Sequence, residues 1–437
     1  MLPSWPEKTL LRDSVVPFAI PSVFAQEGRH KRVTLIPCLA DNRYRLYKYA
    51  FFLIPKGITV AGFTTRAIHA VHSNEEQAVV PPIYTASTFG QPTDGTEGPF
   101  EYQRGGNPTR SKAETTLAAI EGAEHAFLYA SGMSATAAAM GILEHGQTLI
   151  MGMPVYGGNY RFATIELPKR GVTNELVYDL STLSDSHFEG KNVGMVFIET
   201  PSNPTLRVTD IKKVAELAHR HGALLVVDNT VMTPYLQKPL DLGADIVVQS
   251  ATKYLAGHGD LLAGVATTNN AELADKLFKA QLISGGVLSP IDSYRLLQNV
   301  KTLALRMERQ QANADVLIEA VAAHPAVDTV YFPGSYSAEE AKIQAEQANG
   351  KGALFSFTIK EDYDIKAFLD ALQVFTFAVS LGGIESLVCL PTTMTQGAYS
   401  QEDRDDAGLT TRLVRVAVGI EDVDDLRGDI IGALDAA

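Results

Sequence analysis

Cysteine is nearly absent, with only Cys38 and Cys389 in 437 residues. A disulfide framework and a cysteine-rich zinc site are therefore excluded, and the scarcity fits a reducing compartment, with the cytoplasm as the default. Positive charge is also short: 37 Lys and Arg face 50 Asp and Glu, a formal charge of −13. Phosphate backbones attract basic surfaces, so a general nucleic-acid binder is disfavoured. The apolar run AFFLI at 50–54 falls far short of the ~20 residues that span a bilayer, and no membrane association is expected. No GxxxxGK[ST] phosphate loop, HExxH helix or GxSxG elbow occurs, which removes the usual sequence support for three enzyme classes. What is present, 46% hydrophobic and 20% charged residues, is the composition of a folded globular protein.

The first sixty residues differ from the rest. They carry nine basic side chains against Glu7, Asp13, Glu27 and Asp41, hold the single tryptophan, Trp5, and show no sustained helical or strand period. Residues 1–60 read as a loosely attached or disordered extension. A targeting segment and a translation start near Val60 are the competing readings. Residues 61–115 are expected to form an N-terminal arm, 116–300 a large α/β domain and 301–437 a C-terminal α+β domain.

From about residue 116, short apolar runs alternate with helical stretches. The runs lie at 125–130, 147–151, 193–198, 223–227, 244–248 and 262–267. They are continuous and not alternating, which is how strands buried on both faces of a parallel sheet read. Helical composition covers 110–121 and 131–143. The stretch 209–221 adds a Thr209 cap and a terminating Gly222. An α/β layer architecture follows. A long helical pattern from 292 to 322 then leads into strand candidates at 327–332, 352–359 and 412–418, an α+β composition distinct from the first sheet.

Chemistry-bearing residues gather at predicted strand ends. Ser250, Thr252 and Lys253 follow the 244–248 run, at the carboxyl edge where α/β sheets bind ligands, and Asp228 closes the ALLVVD run. Taken singly, a capping aspartate and a solvated lysine account for both. Together they suit one chemistry: a lysine that condenses with an aldehyde cofactor, hydroxyls for that cofactor's phosphate, and a carboxylate for its ring nitrogen. The cofactor so described is pyridoxal 5'-phosphate (PLP). SGMSA at 131–135 supplies a glycine at a helix start, where free N–H groups favour an anion.

The segments YQRGGNPTR (102–110), ASGMSA (130–135), PVYGGN (154–159), ETPSNP (199–204), VVDNT (226–230), SATKYLAGHGD (250–260), SLGGIESL (380–387) and RVAVGIED (415–422) resemble, in order, the motifs of the Cys/Met-metabolism PLP enzymes. These are the trans-sulfuration enzymes of the aspartate-aminotransferase-like fold, the cystathionine synthases and lyases among them. The resemblance runs from about residue 63 to the C-terminus. It implies a large domain with a mostly parallel seven-stranded sheet and a smaller α+β domain. It also implies roles: Lys253 as the cofactor-bearing lysine, Asp228 on the pyridine nitrogen, and Tyr156 stacked on the ring. Gly132 and Met133 through backbone N–H groups, with Ser250 and Thr252, would hold the phosphate. Tyr102 and Arg104 would reach the phosphate of a neighbouring subunit, in a dimer within a homotetramer. Arg415 would bind the α-carboxylate of a small amino-acid substrate, assisted by Asn203 and Ser380. His258, His219 and His221 are read as packing or surface residues.

Specificity rests on less. Relatives specialised for γ-chemistry on cystathionine often carry glutamate where this chain has Val379, which favours β-elimination, as in a cystathionine β-lyase. Cystathionine γ-synthase and γ-lyase activity stay open, with an aminotransferase further off. Gly158 stands where methionine γ-lyases have a cysteine. Gln396 stands where the family commonly has histidine.

Overall fold

The computed structural model describes residues 61–71 and 77–437; the basic extension expected over 1–60 lies outside them. Seven strands form the larger sheet: β1 (His125–Tyr129), β2 (Thr148–Gly152), β3 (Thr173–Val177), β4 (Val193–Glu199), β5 (Leu224–Asp228), β6 (Ile246–Gln249) and β7 (Gly264–Thr268). Their order is β1-β7-β6-β5-β4-β2-β3. Only β7 runs against the others, pairing antiparallel with both β1 and β6. Parallel pairs need crossovers, and the crossover helices cover both faces of the sheet.

That burial explains the unbroken apolar runs. Along β5 and β6, Leu225, Val227 and Val247 pack with Val214 and Ala218 of the helix Ile211–Arg220. Val226 and Val248 point the other way, into a cluster with Ala135 and Ala139 of the helix Gly132–Met140. Each of the valines and leucines among them contributes about 1.5–3 kcal/mol by leaving water. Strand β3, TNELV, is an edge strand and half exposed, so it shows no apolar run and escapes a sequence reading. The cap of Ile211–Arg220 is Asp210, which accepts from Lys213 N at 3.0 Å, and not Thr209. Thr209 N instead donates back to Thr200 Oγ1 at 2.9 Å.

The long helical pattern is two helices, Pro290–Asn299 and Leu303–Ala322, joined by a 3₁₀ turn at Val300–Thr302. The break has a partner. Arg306 donates to Asn299 O at 3.1 Å, satisfying a terminal carbonyl, and to Tyr254 O at 2.6 Å beside Lys253. The smaller sheet orders β10 (Thr376–Phe377), β11 (Leu387–Cys389), β12 (Leu413–Ala417), β9 (Leu354–Ile359) and β8 (Val327–Tyr331). Its central strands pack with the helices Leu303–Ala322 and Val423–Asp435. Among the described residues no helix is long and apolar enough to cross a membrane.

Candidate active site

Glu199 and Asp228 are register partners at the carboxyl ends of β4 and β5. Ser250 follows β6 directly, with its N–H donating to Thr230 Oγ1 at 2.8 Å. Asp228 is buried. Its Oδ1 accepts from Thr230 N at 3.0 Å and Thr230 Oγ1 at 2.5 Å, and its Oδ2 accepts from Asn159 Nδ2 at 3.3 Å. All three donors are neutral, and burial pushes the carboxyl above its ordinary range. Glu199 is buried beside it and raised well above its ordinary value, by burial first and then by the Asp228 charge. Its Oε2 accepts from Tyr156 N at 2.9 Å.

Lys253 lies in the turn after β6, and its Nζ donates to Ser380 Oγ at 2.7 Å. Burial, and then the nearby Arg415 charge, lower the amine from 10.5 to about 8. Ser380 itself has φ +98, a region that non-glycine residues seldom occupy and that clusters at functional sites. Arg415, buried in the middle of β12, donates through Nη1 to Asn203 Oδ1 at 2.9 Å and through Nη2 to Ser380 O at 2.7 Å. Among the described residues its Nε has no hydrogen-bond partner. A buried guanidinium held only by neutral acceptors, with one N–H orphaned, is a site for an anion.

The helix Gly132–Met140 begins against this cluster. Ser131 caps it by accepting from Ser134 N at 3.1 Å. A Cβ on Gly132 would lie 2.7 Å from Ser250 Cβ, so this close approach requires glycine. Free N–H groups at 132 and 133 and the Ser250 hydroxyl thus share one corner. The Thr252 hydroxyl is already engaged: it donates to Ala263 O at 3.1 Å and accepts from Ala263 N at 2.9 Å. Serving a phosphate as a donor would cost the Ala263 bond. Tyr156 is 41% exposed; its ring and Met133 Sδ both crowd the Cβ position of Gly158. Tyr102 and Arg104 are not drawn into this cluster. Tyr102 is exposed, and Arg104 donates to Leu282 O at 2.8 Å.

The structure therefore brings Lys253, Asp228, Tyr156, Gly132, Met133, Ser250, Asn203, Ser380 and Arg415 to one sheet edge, between the two sheets. Asn159 and Glu199 lie inside quoted motifs yet drew no role from the sequence, because neither carries a distinctive signal alone. His258 Nδ1 meets Ala256 O, and His219 and His221 pair with Asp245 and Asp185.

Three groups assigned from the sequence meet no opposite charge at hydrogen-bond distance among the described residues: the Asp228 carboxyl, the Arg415 guanidinium and the Lys253 amine. A pyridine cofactor carrying an aldehyde and a phosphate, together with an amino acid, answers all three. The donor set fits, and the fold and site define a PLP enzyme of the aspartate-aminotransferase-like fold.

Residues 64–435 match the family described as Cys/Met metabolism PLP-dependent enzyme, and the chain belongs to that family. A cystathionine gamma-lyase of Bacillus subtilis is 41% identical over 373 residues, covering 85% of this chain and 98% of the relative. A cystathionine beta-lyase of Lactococcus lactis subsp. cremoris is 42% identical over 374 residues, with the same coverage. Among solved structures, a cystathionine gamma synthase of Xanthomonas oryzae pv. oryzae, in complex with aminoacrylate and cysteine, aligns with TM-score 0.83 at 37% identity, covering 86% of this chain and 98% of that one.

Proposed function

We propose that the protein is a carbon–sulfur lyase that cleaves cystathionine by β-elimination to homocysteine, pyruvate and ammonia. Bound PLP supplies the electron sink that stabilises negative charge at the substrate α-carbon. Lys253, with Asp228, Tyr156, Gly132, Met133, Ser250 and Thr252, would hold the cofactor in its own subunit. Asp228 keeps a proton on the ring nitrogen; a cation placed there would offset the burial that now raises its carboxyl. Arg415 grips the substrate α-carboxylate through its fork, with Asn203 and Ser380 fixing the guanidinium plane. Lys253, with its amine lowered to about 8, takes the α-proton as general base, since its neutral form is accessible near neutral pH. Tyr156, held at its backbone by Glu199, donates a proton to the departing sulfur.

The Lys253–Ser380–Arg415 chain of contacts carries this reading, because it sets a proton-accepting amine beside a carboxylate-binding cation. Val379 supports β-elimination over γ-chemistry: it is 53% exposed beside Ser380 and offers no anion to a distal ammonium. Assembly into a homotetramer in the cytoplasm, with Tyr102 and Arg104 completing a neighbour's phosphate site, belongs to the same proposal.

Product identity tests it. Holoenzyme given cystathionine should release pyruvate with homocysteine; 2-oxobutyrate with cysteine would establish γ-elimination instead. Cystathionine formed from a homoserine ester and cysteine would establish the synthase. Amine transfer dependent on a keto acid would establish an aminotransferase.

A further inference from the structure

The segment between β11 and β12 reaches across to the larger sheet, where its Gln396 meets two loops. Gln396 is fully buried. Its Nε2 donates to Asn203 O at 3.0 Å and to Val155 O at 3.4 Å, while the Thr395 hydroxyl donates to its Oε1. Its own N–H donates to Pro391 O at 2.8 Å, so its backbone is fixed as well. Three residues on, Tyr399 brackets Val155, donating from its hydroxyl to Val155 O at 2.6 Å and accepting from Val155 N at 2.9 Å. A Cβ on Gly157 would lie 2.3 Å from Thr395 O, so the strap lies directly on the turn that carries Tyr156.

Asn203 and Val155 flank the chemistry without belonging to one element. Asn203 precedes Pro204 beyond β4 and orients Arg415; Val155 immediately precedes Tyr156. One amide therefore joins the loop that fixes the guanidinium to the loop that carries the tyrosine. A neutral primary amide offers two donors on one nitrogen and so meets both carbonyls at once without burying a charge. A carboxylate of the same shape has none, and would face two buried carbonyl oxygens.

We infer that Gln396 is a positioning residue for substrate recognition, tying the Asn203 and Val155 carbonyls so that Asn203 holds Arg415 in line for an α-carboxylate. This rests on the reading of Arg415 as the carboxylate-binding cation. Gln396 donates to no side chain assigned to the cofactor, and it reaches Tyr156 only through the Val155 backbone, which Tyr399 holds by two further hydrogen bonds, so its loss should weaken amino-acid binding and spare cofactor binding.

The test uses holoenzyme carrying Gln396→Glu or Gln396→Met, the second keeping the volume and removing both polar functions. Glycine binding is followed by the change in the visible cofactor spectrum. PLP affinity is measured separately by reconstituting cofactor-free protein, and Tm is recorded. We expect the glycine Kd and the substrate KM to rise about tenfold or more, with kcat reduced less and PLP affinity held within about twofold. Glycine affinity unchanged in both variants would overturn the inference, as would PLP affinity and Tm falling in parallel with it, which marks a merely structural role. Arg415→Ala is run alongside. If it too leaves glycine binding intact, the carboxylate reading itself has failed; if it alone abolishes binding, only the role of Gln396 has.

Discussion

The edge of the larger sheet and the strap that crosses to it contribute to one site in opposite ways. Lys253, Asp228 and Glu199 sit at or just beyond the ends of buried strands; Asp228 and Glu199 are braced by neighbouring strand-end loops, and Lys253 donates to Ser380 of the second region. Ser380, Gln396 and Arg415 come from the smaller sheet and its long connections; Ser380 accepts from Lys253, while Gln396 and Arg415 reach across to Asn203 beyond β4. The first set holds groups suited to the cofactor, the second groups suited to the substrate. On the proposed assignment, cofactor chemistry is built on strand ends, while substrate recognition depends on how a second layer is seated against them. Loss of the first should abolish chemistry; loss of the second should alter binding.

The largest expected effect is at Lys253. Lys253→Ala should lower turnover of a sulfur amino acid by about 10³-fold or more, because it removes both the nucleophile for the cofactor aldehyde and the general base. The visible band of the lysine-bound cofactor should vanish with it; a variant that retains the band would show that another lysine carries the aldehyde. At Arg415 the effect should fall on binding. Truncating one partner of a buried, hydrogen-bonded charge pair typically costs 2–5 kcal/mol. Arg415→Ala should therefore raise KM about 30-fold to several thousandfold, and Arg415→Lys, which keeps the charge and loses the fork, should fall between. Equal KM in the wild type and both variants would erase the division between the two regions.

A pH dependence sharpens the same comparison. Burial and Arg415 together lower the Lys253 amine to about 8, so below that pH the reactive neutral fraction falls about tenfold per unit. The rate at which cofactor-free protein takes up PLP should rise with pH and level off above about 8, where an ordinary lysine would keep gaining towards 10.5. Arg415→Ala removes the second cause and should move the midpoint upward. A midpoint already above 10 in the wild type would show that neither burial nor Arg415 acts on this amine.

How much of this could be read from the sequence follows the same divide. Six of the seven strands of the larger sheet show as mainly apolar runs, because burial favours apolar side chains along them. The seventh, β3, is a half-exposed edge. In the smaller sheet, β10 and β11 are two and three residues long, too short to set up any period. Asp228, Ser250 and Lys253 were legible because a strand end locates them. Arg415 and Ser380 needed the family resemblance, since their partners are distant in sequence. Gln396 showed only as a departure, because its function is to donate to two backbone carbonyls, and backbone partners leave no trace in side-chain spacing. The break at Val300–Thr302 was hidden for a similar reason: Arg306 takes the Asn299 carbonyl, and the composition on both sides stays helical.

The smallest expected effect lies at Val379, at the rim of the second region. The side chain is more than half exposed, so a charge placed there is screened, and an ion pair with a substrate's distal ammonium is worth about 0.2–1 kcal/mol. That energy corresponds to at most about a fivefold change in affinity. Val379→Glu should therefore raise the share of γ-products from cystathionine by no more than about fivefold, measured as 2-oxobutyrate against pyruvate, and leave the PLP spectrum unaltered. The bound follows from the site's division: a rim residue biases which end of the substrate is held, whereas the bond that breaks is chosen by where the α-carbon and the leaving sulfur sit relative to Lys253 and Tyr156. A complete switch to γ-elimination from this one substitution would mean that specificity resides at the rim, and that the seating of Arg415 by Asn203 and Ser380 contributes little to it.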